Sequence, residues 1–195
     1  MIIEGILSTR DPGGNVHLAA MGPSFSEGGR QLLLRPFASS QSWQNLQREP
    51  YGVFHITDDV QMLVWAALGI WPEAPPVEPA CCVPGYWLRS ACRWYEFRVT
   101  QVDRSQPRIQ LTCQVVHAHE LRPMCGWNRA QFAVIEATIQ ATRLAWLDRR
   151  EVLADLQRWS RLVEKTGGER EHRAMQFVRQ YIEQHYQAAR EAGAT

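Results

Sequence analysis

The sequence predicts a mainly β chain with α: a small antiparallel barrel over residues 1–125, followed by a three-helix subdomain over residues 126–195. Two observations predict it. All eleven prolines and nine of the thirteen glycines lie at or before Pro123, so turn-forming residues punctuate only the first part. There, short β-rich runs outnumber helical ones, which favours a small antiparallel barrel over a doubly wound sheet.

Ile2 to Arg10 and Asn15 to Ala20 read as strands joined through Asp11-Pro12-Gly13-Gly14, a cluster suited to an antiparallel turn. Ser24 to Gly29 is a second polar turn, and Gln31 to Leu34 is a third strand ending at Arg35-Pro36. Ser39-Ser40 offers N-cap oxygens to a helix over Gln41 to Arg48, which Pro50 stops. Tyr51 to Thr57 is a fourth strand, and Asp58-Asp59 starts a helix over Val60 to Leu68. Trp71 to Gly85 holds five prolines and reads as a surface loop or lid. Tyr86 to Val102 and Arg108 to Leu121 read as two long strands, the second alternating Ile109, Leu111, Cys113 and Val115 with polar residues. Beyond Gly126, helices are expected over Trp127 to Leu147, Val152 to Glu164 and Arg170 to Ala192. The last carries an apolar stripe at Met175, Val178, Ile182, Tyr186 and Ala189.

Composition narrows the functional classes. Against 20 Asp+Glu stand 21 Lys+Arg, so nothing in the net charge calls for a nucleic-acid partner. Lys165 is the only lysine, which excludes a P-loop or a Schiff-base lysine from the first 164 residues. The five cysteines form no C-x-x-C pair, and the N-terminus lacks a basic region before a long apolar run. A cytoplasmic protein with reduced thiols and no membrane partner is expected.

Two stretches could carry chemistry. From Arg35 to Asn45 a strand delivers a guanidinium, then Ser39, Ser40 and Ser42 gather at a helix start. Helix amides, hydroxyls and a guanidinium together suit a phosphate. The alternative is that the serines only cap the helix while Arg35 is solvated. The second stretch, Asn15 to Pro23, ends in small residues and Gly22-Pro23, where a flat ligand can approach the backbone; an edge strand ending in a turn looks the same.

The order of these motifs, followed by Tyr51 to Asp59, resembles a family of FMN-binding split β-barrels from archaea and planctomycetes described mainly as a domain of unknown function. It is more distantly similar to the flavin reductases of the wider superfamily that also takes in pyridoxamine phosphate oxidase. In those, an Asn-x-Ala-Pro strand end is followed by a strand and a Thr-x-x-Asn-Ile helix start, which Ser42 to Leu46 matches. Asn128 to Ala130, Ala133 to Ala137 and Ala141 to Arg143 also look like the close family's helical tail. The resemblance implies a homodimer with FMN at the subunit interface. Its phosphate would meet Arg35, Ser39, Ser40, Ser42 and Asn45, with Phe37 beside them, and its ring would lie against Ala20, Met21 and Gly22. Flavin reductases often carry a lysine near the phosphate; here Arg35 must supply that charge.

Three other readings stand beside this one. Cys113, His117 and His119 share one face of a regular strand and could hold zinc in a hydrolase, or could simply continue the core face. Arg129, Glu136 and Arg143 fall near one line of the first tail helix, as in an ion-pair ladder. His17 and His55 complete no Ser/His/Asp set. The expectation is an FMN-binding, flavin-dependent oxidoreductase acting on a small redox substrate, with no metal and no assigned catalytic residue. A non-catalytic flavin carrier or sensor is the alternative.

Overall fold

The computed structural model describes residues 1–106 and 108–192. These form two compact units. Among the described residues, the first comprises Met1–Asp58 and Trp71–Met124, the second Asp59–Ile70 and 125–192.

The first unit is built on a seven-stranded antiparallel sheet. In chain order it contains β1 (Gly5–Arg10), β2 (Val16–Met21), β3 (Ser24–Phe25), β4 (Gln31–Leu34), α1 (Gln41–Arg48) and β5 (Tyr51–Ile56). After α2 (Val60–Leu68), which belongs to the second unit, come β6 (Val77–Pro79), β7 (Tyr86–Leu88), β8 (Arg93–Asp103) and β9 (Gln110–Glu120). The sheet order is β2-β1-β5-β8-β9-β4-β3. Its two edge strands are therefore consecutive in sequence. Only Gly22 and Pro23 lie between Met21 and Ser24, a span of about 10 Å at most. Two residues reach from one edge to the other only if the sheet curls on itself, and this makes a split barrel of a linear strand list. Ile2 bridges to Ser24 along the same seam.

Inside the curl, Leu7, Leu32, Leu34, Phe54, Phe97, Leu111 and Cys113 are fully buried, and α1 contributes Trp43 and Leu46 to the same cluster. The β1–β2 turn forms as expected: Gly14, at φ 82°, donates to the Asp11 carbonyl while Asn15 accepts from the Asp11 amide.

Trp71 to Gly85 is not a plain loop, because β6 pairs with β7 as a small separate hairpin. Nor is Tyr86 to Val102 one strand. A turn intervenes in which the Ala91 amide bonds Leu88 O, and the Cys92 amide bonds Ile56 O to restart pairing. β9 departs from strict alternation, since Phe97 faces Val115 whereas Glu96 faces His117. Val116 is thus an extra residue, a β-bulge that reverses the side-chain phase beyond it.

The second unit packs α2 with α3 (Arg129–Ala141), α4 (Arg149–Thr166) and α5 (Glu169–Ala192). Its core joins Val60, Val64, Val134, Val152, Leu156, Val163, Met175, Val178 and Ile182. Asn128 caps α3, accepting the Ala130 amide over 2.7 Å, and Asp148 caps α4. The helix expected over Trp127 to Leu147 stops at Ala141. The Thr142 hydroxyl donates to Ile139 O over 2.8 Å, a local bond that competes with helix continuation, and a short 3₁₀ turn follows over Leu144–Trp146. Arg143 consequently lies past the helix end, and no ion pair joins Arg129, Glu136 and Arg143. No helix among the described residues is long and apolar enough to cross a membrane.

Candidate functional site

The segment after β4 turns into α1 through a hydroxyl-based cap. Ser40 donates its hydroxyl proton to Phe37 O over 2.8 Å and accepts the Trp43 amide over 3.2 Å. That leaves the Gln41 and Ser42 amides, at the positive end of α1, without an acceptor among the described residues. Ser39 is exposed, as is Arg35, which makes no hydrogen bond or ion pair with any described residue. Phe37 is also exposed, and the Arg108 guanidinium carbon sits 4.1 Å from its ring centroid. Arg104 stands similarly over the buried Trp43 ring at 5.1 Å. Neither arginine has a carboxylate partner among the described residues. The same stretch of barrel therefore carries two free helix amides, an exposed serine and guanidinium groups not neutralised by protein.

Ser42 and Asn45 point the other way. Asn45 is buried, donating to Thr9 Oγ1 on β1 over 2.9 Å and accepting from Gln41 Nε2 over 2.8 Å. Ser42 Oγ lies 3.4 Å from His17 Nε2 on β2. These two residues position the helix start rather than offering free side chains. Burial holds the His17 imidazole below its ordinary pKa, the nearby Asp11 charge only partly opposing this, so a neutral ring faces Ser42 near pH 7.

Ala20 and Met21 end β2, an edge strand with a single neighbour in the sheet, and Gly22 follows it in the link to β3. Met21 packs partly on the barrel core, and Ala20 and Gly22 are half-buried. A Cβ at Gly22 would meet Ile2 Cγ2 at 2.8 Å. Glycine is required there because the N-terminal segment crosses close by. Beside α1, a groove of about 250 Å³ is lined by Trp43, Leu46, Gln47, Pro50, Val99 to Val102 and Arg104, and by neither 20–22 nor 35–40.

The zinc reading of β9 does not survive the bulge. Cys113 is fully buried in the barrel core, whereas His117 and His119 face the opposite side of the sheet with Glu96 and Trp94. Sequence reasoning missed Arg108 and His17. Two arginines in a six-residue polar turn, Arg104 to Ile109, were the available signal for the first. Only strand pairing brings the second to Ser42.

The model of a protein of unknown function, DUF447 N-terminal domain, matches residues 3–122, and a second DUF447 model matches residues 128–180. The chain belongs to the DUF447 family. No curated protein matches it. Among solved structures, a DUF447 member, the FMN-bound protein from Methanosarcina mazei, is similar over 92% of this chain and 94% of its own, with a TM-score of 0.78 and 22% identity. The styrene monooxygenase flavin reductase from Pseudomonas putida is similar over 62% of this chain and 82% of its own, with a TM-score of 0.53 and 13% identity. An FMN-binding protein from Thermus thermophilus, at 0.53 and 11%, covers 60% of this chain and 70% of its own. The DUF447 chain thus has the split-barrel fold of flavin reductases, followed by the family's helical part.

Proposed function

We propose that the protein binds FMN at the α1 end of its barrel and acts as a flavin-dependent oxidoreductase on a small molecule. One observation carries the reading: the free Gln41 and Ser42 amides share a segment with guanidinium groups that no protein carboxylate neutralises. A phosphate dianion suits that donor set. Arg35 and Arg108 would supply charge, the α1 amides and the Ser39 and Ser40 hydroxyls would donate, and Phe37 would shield one side. Buried Asn45 and Ser42 would fix the helix so that these donors converge. The likeness to an FMN-bound DUF447 protein over nearly the whole chain supports the same ligand.

The β2 end suits the ring. An edge strand with the small residue Ala20 near its end would let backbone amides reach ring acceptors at close range. Because β2 is an edge strand of the sheet, a second copy of the chain covering it would exclude water and complete the site, so the working unit would be a homodimer. Bound FMN would supply the electron or hydride chemistry; the protein supplies position and charge.

An absorbance titration of the purified protein with FMN tests binding. A shifted, resolved flavin spectrum at micromolar protein is expected, and no shift would defeat the reading. Sustained NADH or NADPH consumption by the flavin-loaded protein then separates an enzyme from a carrier.

A further inference from the structure

Away from the α1 end, the outer face of the sheet carries a second cluster. Because Val116 is bulged, His117 leaves the core phase and joins Glu96 on that face. The turn after β6 brings Cys81 and Cys82 over it. One sulfur atom from each cysteine and one imidazole nitrogen of His117 all lie within 4.8 Å of one another, the two sulfurs 3.4 Å apart.

We propose that Cys81, Cys82 and His117 form a binding site for one thiophilic divalent ion of the zinc class. Zinc takes sulfur at about 2.3 Å and imidazole nitrogen at about 2.0 Å, so ligand atoms sharing one tetrahedral ion stand roughly 3.5 to 3.8 Å apart. The observed separations are within a small side-chain adjustment of that. No disulfide joins the cysteines, and both are exposed, so an ion has direct access. The His117 ring makes no hydrogen bond with any described residue, leaving its nitrogens available.

The supporting shell is already in place. Glu96 is fully buried and accepts the amides of Cys81 at 3.1 Å, Cys82 at 2.6 Å and Val83 at 3.1 Å, which fixes the backbone that presents both thiols. Its Oε1 also lies 3.4 Å from Cys81 Sγ and accepts Trp94 Nε1 at 3.3 Å. This carboxylate makes no ion pair among the described residues and is held as an anion by these four N–H donors. A divalent ion displaces one proton from each thiol to solvent, giving an electrically neutral centre of two thiolates and one imidazole with a fourth position for water. Behind the site the Trp87 and Trp94 rings stack at 4.3 Å, closing its inner side.

Cobalt(II) is the probe, because its thiolate complexes absorb where the protein does not. Titrating the reduced full-length protein should produce a sulfur-to-cobalt charge-transfer band that saturates at one equivalent and is abolished by one equivalent of zinc. C81S, C82S and H117Q should each weaken cobalt binding by at least about tenfold, the range that loss of a mere outer-shell partner produces. C113S, which removes the core thiol, should leave the titration unchanged. Exposed Cys81 and Cys82 tolerate serine, so folding of those variants is checked by an unchanged circular dichroism spectrum. Absence of the band in the reduced wild type, or a band that persists unweakened in C81S and C82S, overturns the site. The outcome is independent of whether FMN binds.

Discussion

Asn45 Nδ2 donates to Thr9 Oγ1 over 2.9 Å, a buried bond that ties the middle of α1 to β1. With Trp43 and Leu46 in the barrel core, it determines where the helix start stands relative to the β2 end. Asn45, one of the phosphate contacts expected from the sequence, is in the structure bonded to protein and holds α1 on the barrel.

Asn45→Ala should therefore act twice. It strands the buried Thr9 hydroxyl, at a cost of about 1 to 3 kcal/mol, and it frees the α1 start. Urea unfolding should show the loss of stability, and FMN titration a weaker affinity. Pairing Thr9→Val with Asn45→Leu should cost less than the two single changes added together, because neither then leaves a polar atom unpaired.

His55 predicts a pH-dependent stability. It is fully buried, its Nδ1 donating to Ile6 O at 2.9 Å and its Nε2 accepting the Leu88 amide at 3.1 Å. Burial drives its pKa from 6.5 down to about 4, the Ile6 carbonyl only partly opposing this. The unfolded chain therefore binds a proton that the folded chain refuses. Stability from this residue is complete above pH 6.5 and falls as pH drops toward 4, by roughly 3 kcal/mol in all. Urea midpoints measured from pH 7 to pH 4.5 should decline through this window, and His55→Gln should flatten the decline. A midpoint that rises on acidification would contradict the assignment.

Arg35 and Arg108 separate charge from fold. Both are exposed and lack carboxylate partners, so replacing either with alanine should leave the melting temperature nearly unchanged. Each change should weaken FMN by about ten- to a hundredfold, the worth of a hydrogen bond to a charged group. Loss of stability without loss of affinity would make them structural.

Elements with local punctuation were legible in the sequence. Gln31–Leu34, Gln41–Arg48 and Val60–Leu68 stand where a proline, a serine cap or an aspartate cap places them. The curled antiparallel sheet followed by helices was likewise readable from turn residues and period. Non-local or single-residue events were not. One extra residue at Val116 leaves the alternation of β9 looking regular while reversing its face, and so split an apparent Cys113, His117 and His119 trio. The joining of β2 and β3 as opposite edges depends on strand order, which no local pattern encodes. Cys81 and Cys82 read as a loop feature because the Glu96 anchor is fourteen or more residues away. The helix start within Arg35 to Asn45 was visible from its serines, but the inward turn of Ser42 and Asn45 became visible only once β1 and β2 were placed.

The account depends on a phosphate being gripped at the start of α1, and parallel equilibrium titrations of the wild-type protein with FMN and with riboflavin test that most directly. The two ligands share a ring and differ at the phosphate. FMN should bind at least tenfold more tightly than riboflavin, one per chain, with the gap narrowing in Arg35→Ala. Equal affinities in the wild type would contradict the account.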